Sequence, residues 1–240
     1  MIERPLVSII LTLYEIKPEY LNECLNDLVN QTYQNIEIIA INDCSPKTNY
    51  DYITSISPKI KLYKNEVNLG MNKTVNKAFG LASGKYIIRM GSDDRFNKHL
   101  IEKEVSILER NPNIGAVCCE LQRFGRRDQH IKRPKSWNLR AILEGCINGV
   151  GYAGGMMFRA TLLDKCSINE NYRMCEDFDF HVQILENMPI TSIHEVLYYY
   201  RSHDTNLCKT VSSKKRKEIN RTILNEHMKL YKKNHKGVYY

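Results

Sequence analysis

Lys85-Tyr86-Ile87-Ile88-Arg89-Met90-Gly91-Ser92-Asp93-Asp94 reads as a short apolar strand that ends in two adjacent carboxylates. In an open α/β sheet, ligands bind in the crevice beyond the carboxyl ends of the strands. Two acids side by side there repel each other unless a cation sits with them. A hard divalent ion held by one or two carboxylates, with phosphate oxygens of a substrate filling its other positions, is the usual Mg²⁺ or Mn²⁺ arrangement. The stretch therefore predicts a metal-dependent site for a phosphorylated substrate. The simpler alternative is that Asp93 and Asp94 cap a helix beginning near Asn97.

Outward from this stretch, strand and helix signals alternate. Val7 to Leu13 and Ile36 to Ile41 are continuous apolar runs of strand length, and Ile60 to Tyr63 is a third short strand. Tyr20 to Val29, Met71 to Ala82 and Leu100 to Arg110 carry helical spacing, Tyr50 to Ile56 is a short helix, and Ile114 to Cys119 is again a strand. Fully apolar strands separated by helices predict a parallel sheet covered on both faces. G-x-G-x-x-G does not follow the first strand and G-x-x-x-x-G-K-[ST] occurs nowhere, which argues against a dinucleotide-binding or P-loop enzyme.

The second half is less regular. Gln122 to Lys135, with Arg123, Arg126, Arg127, Lys132 and Arg133, reads as a mobile basic loop. Gly149 to Gly155 precedes a strand at Met156 to Phe158; Glu176 to Glu186 reads as a helix and Ile193 to Tyr200 as a strand. Lys214 to Lys236 is a basic helix with Ile219, Ile223, Leu224, Met228, Leu230 and Tyr231 as its apolar stripe.

Composition bounds the class. The chain has 240 residues, 42% apolar and 26% charged, with a formal net charge of +8. These are values of a globular domain attracted to anionic partners. No apolar run is long enough to span a bilayer and no signal peptide is apparent, so the expected location is cytoplasmic. Eight scattered cysteines without a C-x-x-C pair read as reduced, mostly buried thiols. No common nucleic-acid-binding motif accompanies the charge.

Polar residues gather where strands end: Thr12 and Tyr14, then Asp43, then Asp93 and Asp94. In these strings the chain resembles the inverting glycosyltransferases of family 2, which have the GT-A fold. VSIILTLYEIKPEYLNECLNDLVNQTYQNIEIIAINDCS is similar to the family's opening block, and NEVNLGMNKTVNKAFGLASGKYIIRMGSDD to its middle block. EDFDFHVQILE resembles its acceptor-side segment, and YYYRSHDTN its closing Tyr-Arg-x-His segment. The resemblance runs from about Val7 to about Asn206.

It implies an α/β, Rossmann-like, mostly parallel sheet flanked by helices, with a C-terminal helical tail. Residues 1–119 would form the donor half, 120–210 the acceptor half of the same domain, and 211–240 a basic helix. The implied reaction moves a sugar from a nucleotide-sugar, a UDP-sugar by expectation, to a hydroxyl of a glycan, lipid or protein, using Mn²⁺ or Mg²⁺. Thr12, Tyr14, Glu15, Asp43, Asn68, Lys73 and Asp93 would bind the donor. Asp93, Asp94 and His203 would hold the metal, Asp177 would be the general base, and Gly154, Gly155 and Glu176 would meet the acceptor. The basic helix would touch an anionic membrane; the alternative is a solvated helix packed by its stripe. The chain departs from the family pattern at Glu15, usually Asn; at Asn42, usually Asp; at Cys44, usually Gly; and at His181, usually an aromatic residue. Gly91 stands where the common metal motif begins with an aspartate, which leaves a second reading: a catalytically weak or inactive binding module of the same fold.

Overall fold

The computed structural model describes residues 4–134, 137, 155–172, 174–204, 206 and 212–234. Strand β1 (Val7–Leu13) pairs in parallel with β2 (Ile36–Asn42) and β4 (Tyr86–Arg89), and β2 pairs in parallel with β3 (Ile60–Lys64). All seven residues of β2 are buried, as expected for a strand covered on both faces. Helix α1 (Pro18–Val29) starts with proline in its first turn, where the missing N–H costs nothing, and buries Leu21, Cys24, Leu25 and Leu28. With α3 (Leu100–Arg110) it covers one face of the sheet. Helix α2 (Met71–Leu81) covers the other face through Val75, Ala78 and Phe79. Each buried leucine contributes roughly 1.5–3 kcal/mol.

The second half enters the same sheet. Strand β8 (Met156–Arg159) lies antiparallel between β4 and β6 (Ala116–Gly125), and β6 pairs in parallel with β9 (Ile190–Ser202). A two-residue strand β5 (Arg95–Phe96) closes the edge against β9, and β7 (Gln129–Ile131) folds back on β6. The expected parallel arrangement thus holds for β1 to β4, while the remainder makes the sheet mixed. Helix α4 (Glu176–Asn187) packs Phe178, Phe180, Val182 and Ile184 onto the α2 face, and α5 (Ser213–Asn234) packs outside it through Ile219, Ile223, Leu224 and Met228.

One expectation fails in part. Within Gln122 to Lys135, Gln122 to Gly125 and Gln129–Ile131 are strand. The 13-residue β9 extends the ladder to Gly125 opposite Ser202, and β7 returns along it. Polar side chains hid the strand because this end of the hairpin stands beyond the core. Arg133 is buried and its Nε donates to the Cys119 carbonyl, whereas Lys135 lies outside the described residues. Of the described cysteines, Cys24, Cys118, Cys119 and Cys166 are buried and free, Cys175 is half-buried, and Cys44 is exposed. No described helix is long and apolar enough to cross a membrane.

Candidate active site

The C-terminal ends of β1, β2 and β4 form the crevice. Tyr14 leaves β1 with its ring half exposed at the mouth. Glu15 has φ 52° and ties the loop after β1 to the loop after β2: its N–H donates to Ser45 Oγ (3.1 Å) and its Oε1 accepts from the Lys47 N–H (3.1 Å). Cys44 has φ 57°, which explains the glycine usual there. Ser92 Oγ donates to the Thr12 carbonyl (3.0 Å), joining the end of β4 to β1.

Asp43 is buried and organises the next loop. Its Oδ1 accepts from Asn65 Nδ2 (2.8 Å) and the Leu69 N–H (2.9 Å), and its Oδ2 from the Gly70 N–H (2.9 Å). Three of about four lone-pair positions are used, leaving one acceptor direction. Gly70, at φ 82°, precedes α2; Asn68 Oδ1 accepts from its N–H (3.1 Å), and Lys73 is exposed in the first turn of the helix. Asp43 therefore does not cap a helix after Pro46.

The two acids after β4 have different surroundings, and neither caps a helix, since α3 begins at Leu100 without a side-chain cap. Asp93 is partly exposed and its Oδ2 lies 2.7 Å from His203 Nε2. Asp94 is 2% exposed. Tyr198 Oη donates to its Oδ2 (2.5 Å) and the Arg201 N–H to its Oδ1 (2.7 Å). Burial first, and then the Asp93 charge, push the Asp94 carboxyl up to about 8. Gly91 makes this possible: a Cβ there would lie 2.2 Å from Asp94 Oδ2. Arg201 locks the turn from outside, with Nε donating to the Asp93 carbonyl (2.7 Å) and Nη2 to Glu23 Oε2 (2.5 Å).

The fit to a divalent ion follows from these contacts. Asp93 and His203 offer an oxygen and a nitrogen at one accessible corner, enough when substrate phosphates complete the shell. Asp94 presents no accessible oxygen. No group of three or more His, Cys, Asp or Glu residues placed to hold a metal occurs among the described residues.

Glu176 and Asp177 sit at the start of α4, behind Cys175 at φ 66°. Glu176 is buried, and Arg89 at the end of β4 reaches its Oε1 at 3.4 Å. Arg89 Nη2 also lies 3.0 Å from Met71 Sδ in the first turn of α2. Burial raises the Glu176 carboxyl, the Asp177 charge adds to it, and Arg89 opposes both. Asp177 is half-buried, with its Oδ1 accepting from the Phe178 N–H (2.8 Å). His181 is buried; burial, with Arg133 and Arg89 behind it, lowers it to about 3, so it is a neutral ring, edge-on to Trp137 at 6.3 Å. Gly155, at φ 68°, lies against Tyr198, whose Cδ2 would be 2.7 Å from an added Cβ; Gly154 lies outside the described residues.

Contacts run from Asp43 to Glu176: Asp43 holds Gly70, Met71 beside it touches Arg89, and Arg89 holds Glu176 next to Asp177. Sequence reasoning missed Arg89, Tyr198 and Arg201. Tyr198 and Arg201 both sit inside the quoted YYYRSHDTN segment and Arg89 inside the middle block, but no role was drawn for any of them.

A mixed α/β sheet with its acids at the strand ends is the GT-A fold, and solved structures match it. The crystal structure of S. aureus TarS 1–349 in complex with UDP-GlcNAc superposes with a TM-score of 0.71 at 18% identity, over 92% of this chain and 71% of that one. A mannosyltransferase of Pyrobaculum calidifontis in complex with GDP-Man and Mn²⁺ gives 0.64 at 18% identity, over 85% and 59%. Residues 8–166 match glycosyl transferase family 2, and the chain belongs to that family; it is a glycosyltransferase. An uncharacterized glycosyltransferase of Haemophilus influenzae is 29% identical over 95% of this chain and 74% of the relative. Another, from Methanocaldococcus jannaschii, is 27% identical over 83% and 71%.

Proposed function

We propose that this enzyme transfers a sugar from a UDP-sugar to a hydroxyl of a glycan, lipid or protein, in a single displacement that inverts the anomeric carbon. The observation that supports the reading is the run of contacts from Asp43 through Gly70, Met71 and Arg89 to Glu176, the neighbour of Asp177. The UDP-GlcNAc complex of a neighbour with the same fold supports the donor class.

In this reading the Tyr14 ring stacks on uracil, and Asp43 accepts the base N–H in its remaining acceptor direction while holding the loop that carries Asn68. Thr12 and Glu15 shape the rim and Lys73 faces the diphosphate. Asp93 receives the ribose and, with His203, holds Mn²⁺ or Mg²⁺; Asp94 acts as a strut behind them. When bound, the ion would neutralise charge on the leaving diphosphate. Asp177 takes the proton from the acceptor hydroxyl as its oxygen attacks the anomeric carbon, and Glu176, Gly154 and Gly155 border the acceptor. Base and leaving group must flank the sugar on opposite sides, as in inverting hydrolysis.

Asp177→Asn tests this. Transfer should fall by at least about a hundredfold while UDP binding stays unchanged; full activity would remove Asp177 from the mechanism. Hydrolysis of a UDP-sugar by the wild type without acceptor would dispose of the inactive-module reading. We also propose a cytoplasmic enzyme whose α5 meets an anionic membrane through charge, since Lys214, Lys215, Lys217, Arg221 and Lys229 are exposed.

A further inference from the structure

Three non-glycine residues among those described adopt the left-handed backbone conformation: Glu15 (φ 52°), Cys44 (φ 57°) and Cys175 (φ 66°). Each adjoins a side chain of the proposed mechanism, Tyr14, Asp43 and Glu176 in turn. Such backbone persists only where neighbouring contacts hold it, and it gathers at functional sites. Around Glu15 and Cys44 the contacts form one staple.

The parallel ladder between β1 and β2 ends with the Asp43 N–H donating to the Leu13 carbonyl (2.9 Å). Beyond it, side chains take over the pairing of the two loops. The Glu15 N–H donates to Ser45 Oγ (3.1 Å), the Ile16 N–H to Tyr50 Oη (2.7 Å), and the Lys47 N–H to Glu15 Oε1 (3.1 Å). Asn42 Oδ1 accepts from the Ser45 N–H (2.9 Å). Tyr50 is fully buried, and Glu15 and Ser45 are half-buried. The staple joins the loop that carries Tyr14 to the loop that follows Asp43. Asp43 has its own anchors in Asn65, Leu69 and Gly70. Tyr14 has none: its ring is 49% exposed, and no side-chain hydrogen bond or ring contact holds it among the described residues. The main chain therefore sets the place of the ring relative to Asp43. The first bond that fixes the main chain beyond Tyr14 is the one from Glu15 to Ser45.

We propose that Ser45 and Glu15 are positioning residues that set the base selectivity of the crevice. They hold the Tyr14 ring at a span from Asp43 that suits a pyrimidine presenting an N–H to the carboxylate. They act through those two side chains rather than on the nucleotide. Cytosine carries a lone pair where uracil carries that N–H, so it meets the Asp43 carboxylate with no proton between them. The proposal rests on the UDP-sugar reading and adds to it the parts that discriminate uracil from cytosine.

Isothermal titration of the full chain with UDP and with CDP, both with Mn²⁺ present, tests it. The wild type should bind UDP at least about tenfold more tightly than CDP. Ser45→Ala and Glu15→Gly should each weaken UDP about fivefold and CDP less, so that the ratio narrows. Glycine suits a φ of 52°, so Glu15→Gly should keep the wild-type melting temperature and its loss cannot come from unfolding. Ser45→Thr and Glu15→Gln keep the bonded oxygens and should hold the ratio within about twofold of the wild type. Equal losses of UDP and CDP, which a merely loosened fold would give, would overturn the proposal. So would an unmoved ratio in both Ser45→Ala and Glu15→Gly, or a ratio that falls as far in Ser45→Thr as in Ser45→Ala. A wild type that binds UDP and CDP equally would overturn it alone. No UDP binding would overturn the donor reading and this proposal with it.

Discussion

At the scale of single residues, Gly91 and Asp94 form one device. The family pattern marks Gly91 as a missing acid, but the space its side chain would fill holds the Asp94 carboxylate, fixed by Tyr198 and the Arg201 N–H. Gly91→Ala should therefore cost roughly 1–3 kcal/mol by overpacking. In an Asp94→Ala background most of that loss should vanish, leaving a coupling of about 1 kcal/mol in a double-mutant cycle followed by urea unfolding. Additive losses would show that the two positions do not compete for the same space. One sequence cannot reveal this, because the competitor for the space lies three residues along the chain and is fastened by a tyrosine from a distant strand. His181 is a similar case. Its letter suggests a titrating group, but burial and two arginines keep it neutral, a ring in the place of an aromatic side chain.

At the scale of elements, the strands β1, β2 and β4 and the helices α1 to α3 were legible because apolar periodicity follows burial directly. The β6–β7 hairpin was not, because its outer half is polar and its order comes from pairing with β9. Asp43 and Asp93 were legible as acids at strand ends that share one edge of the sheet, but the Arg89–Glu176 contact that docks the helix carrying Asp177 leaves no pattern in the chain. Arg89→Gln should leave Glu176 buried beside Asp177 without its cation. The Glu176 carboxyl already sits above its ordinary 4.5, so the folded protein holds that proton longer than the unfolded chain. Stability therefore falls as pH rises from about 4.5 through the folded value. In Arg89→Gln that fall should be deeper and extend to higher pH, with about 1–3 kcal/mol lost at pH 7. Melting curves from pH 4 to 8 check this, and parallel curves for the two proteins would refute it. If Asp177 is the base, as proposed, transfer should drop more than UDP affinity, since Arg89 holds the start of the helix that carries it.

Helix α5 makes the opposite case. His227 bridges to Asp179 Oδ1 and Glu186 Oε1, both at 2.9 Å, and these bonds raise it from 6.5 to about 9. A raised histidine stabilises the fold fully below its unfolded value and loses that contribution as pH rises through about 9. His227→Gln should cost of order 1–2 kcal/mol at pH 6, less than the full shift implies because the bridge is partly solvated. That difference should disappear by pH 10. Amide exchange in α5 reports it, and equal protection of the two proteins at pH 6 would count against the clamp.

At the scale of the whole molecule, the formal charge of +8 is unevenly used. Among the described side chains of α5, the apolar Ile219, Ile223, Leu224 and Met228 pack against the domain. The helix's exposed cations act through the field of an anionic surface. Each such residue near a membrane is worth about 1 kcal/mol, and the attraction decays within a Debye length of roughly 8 Å in physiological salt. The enzyme should sediment with vesicles of mixed phosphatidylserine and phosphatidylcholine at low salt, and not with phosphatidylcholine alone. Roughly half-molar salt, which shortens the Debye length to about 4 Å, should release it. Lys214→Glu with Lys217→Glu and Arg221→Glu should abolish sedimentation without lowering the melting temperature, because all three side chains are exposed. Binding that survives high salt would require an apolar insertion and would refute a purely electrostatic contact.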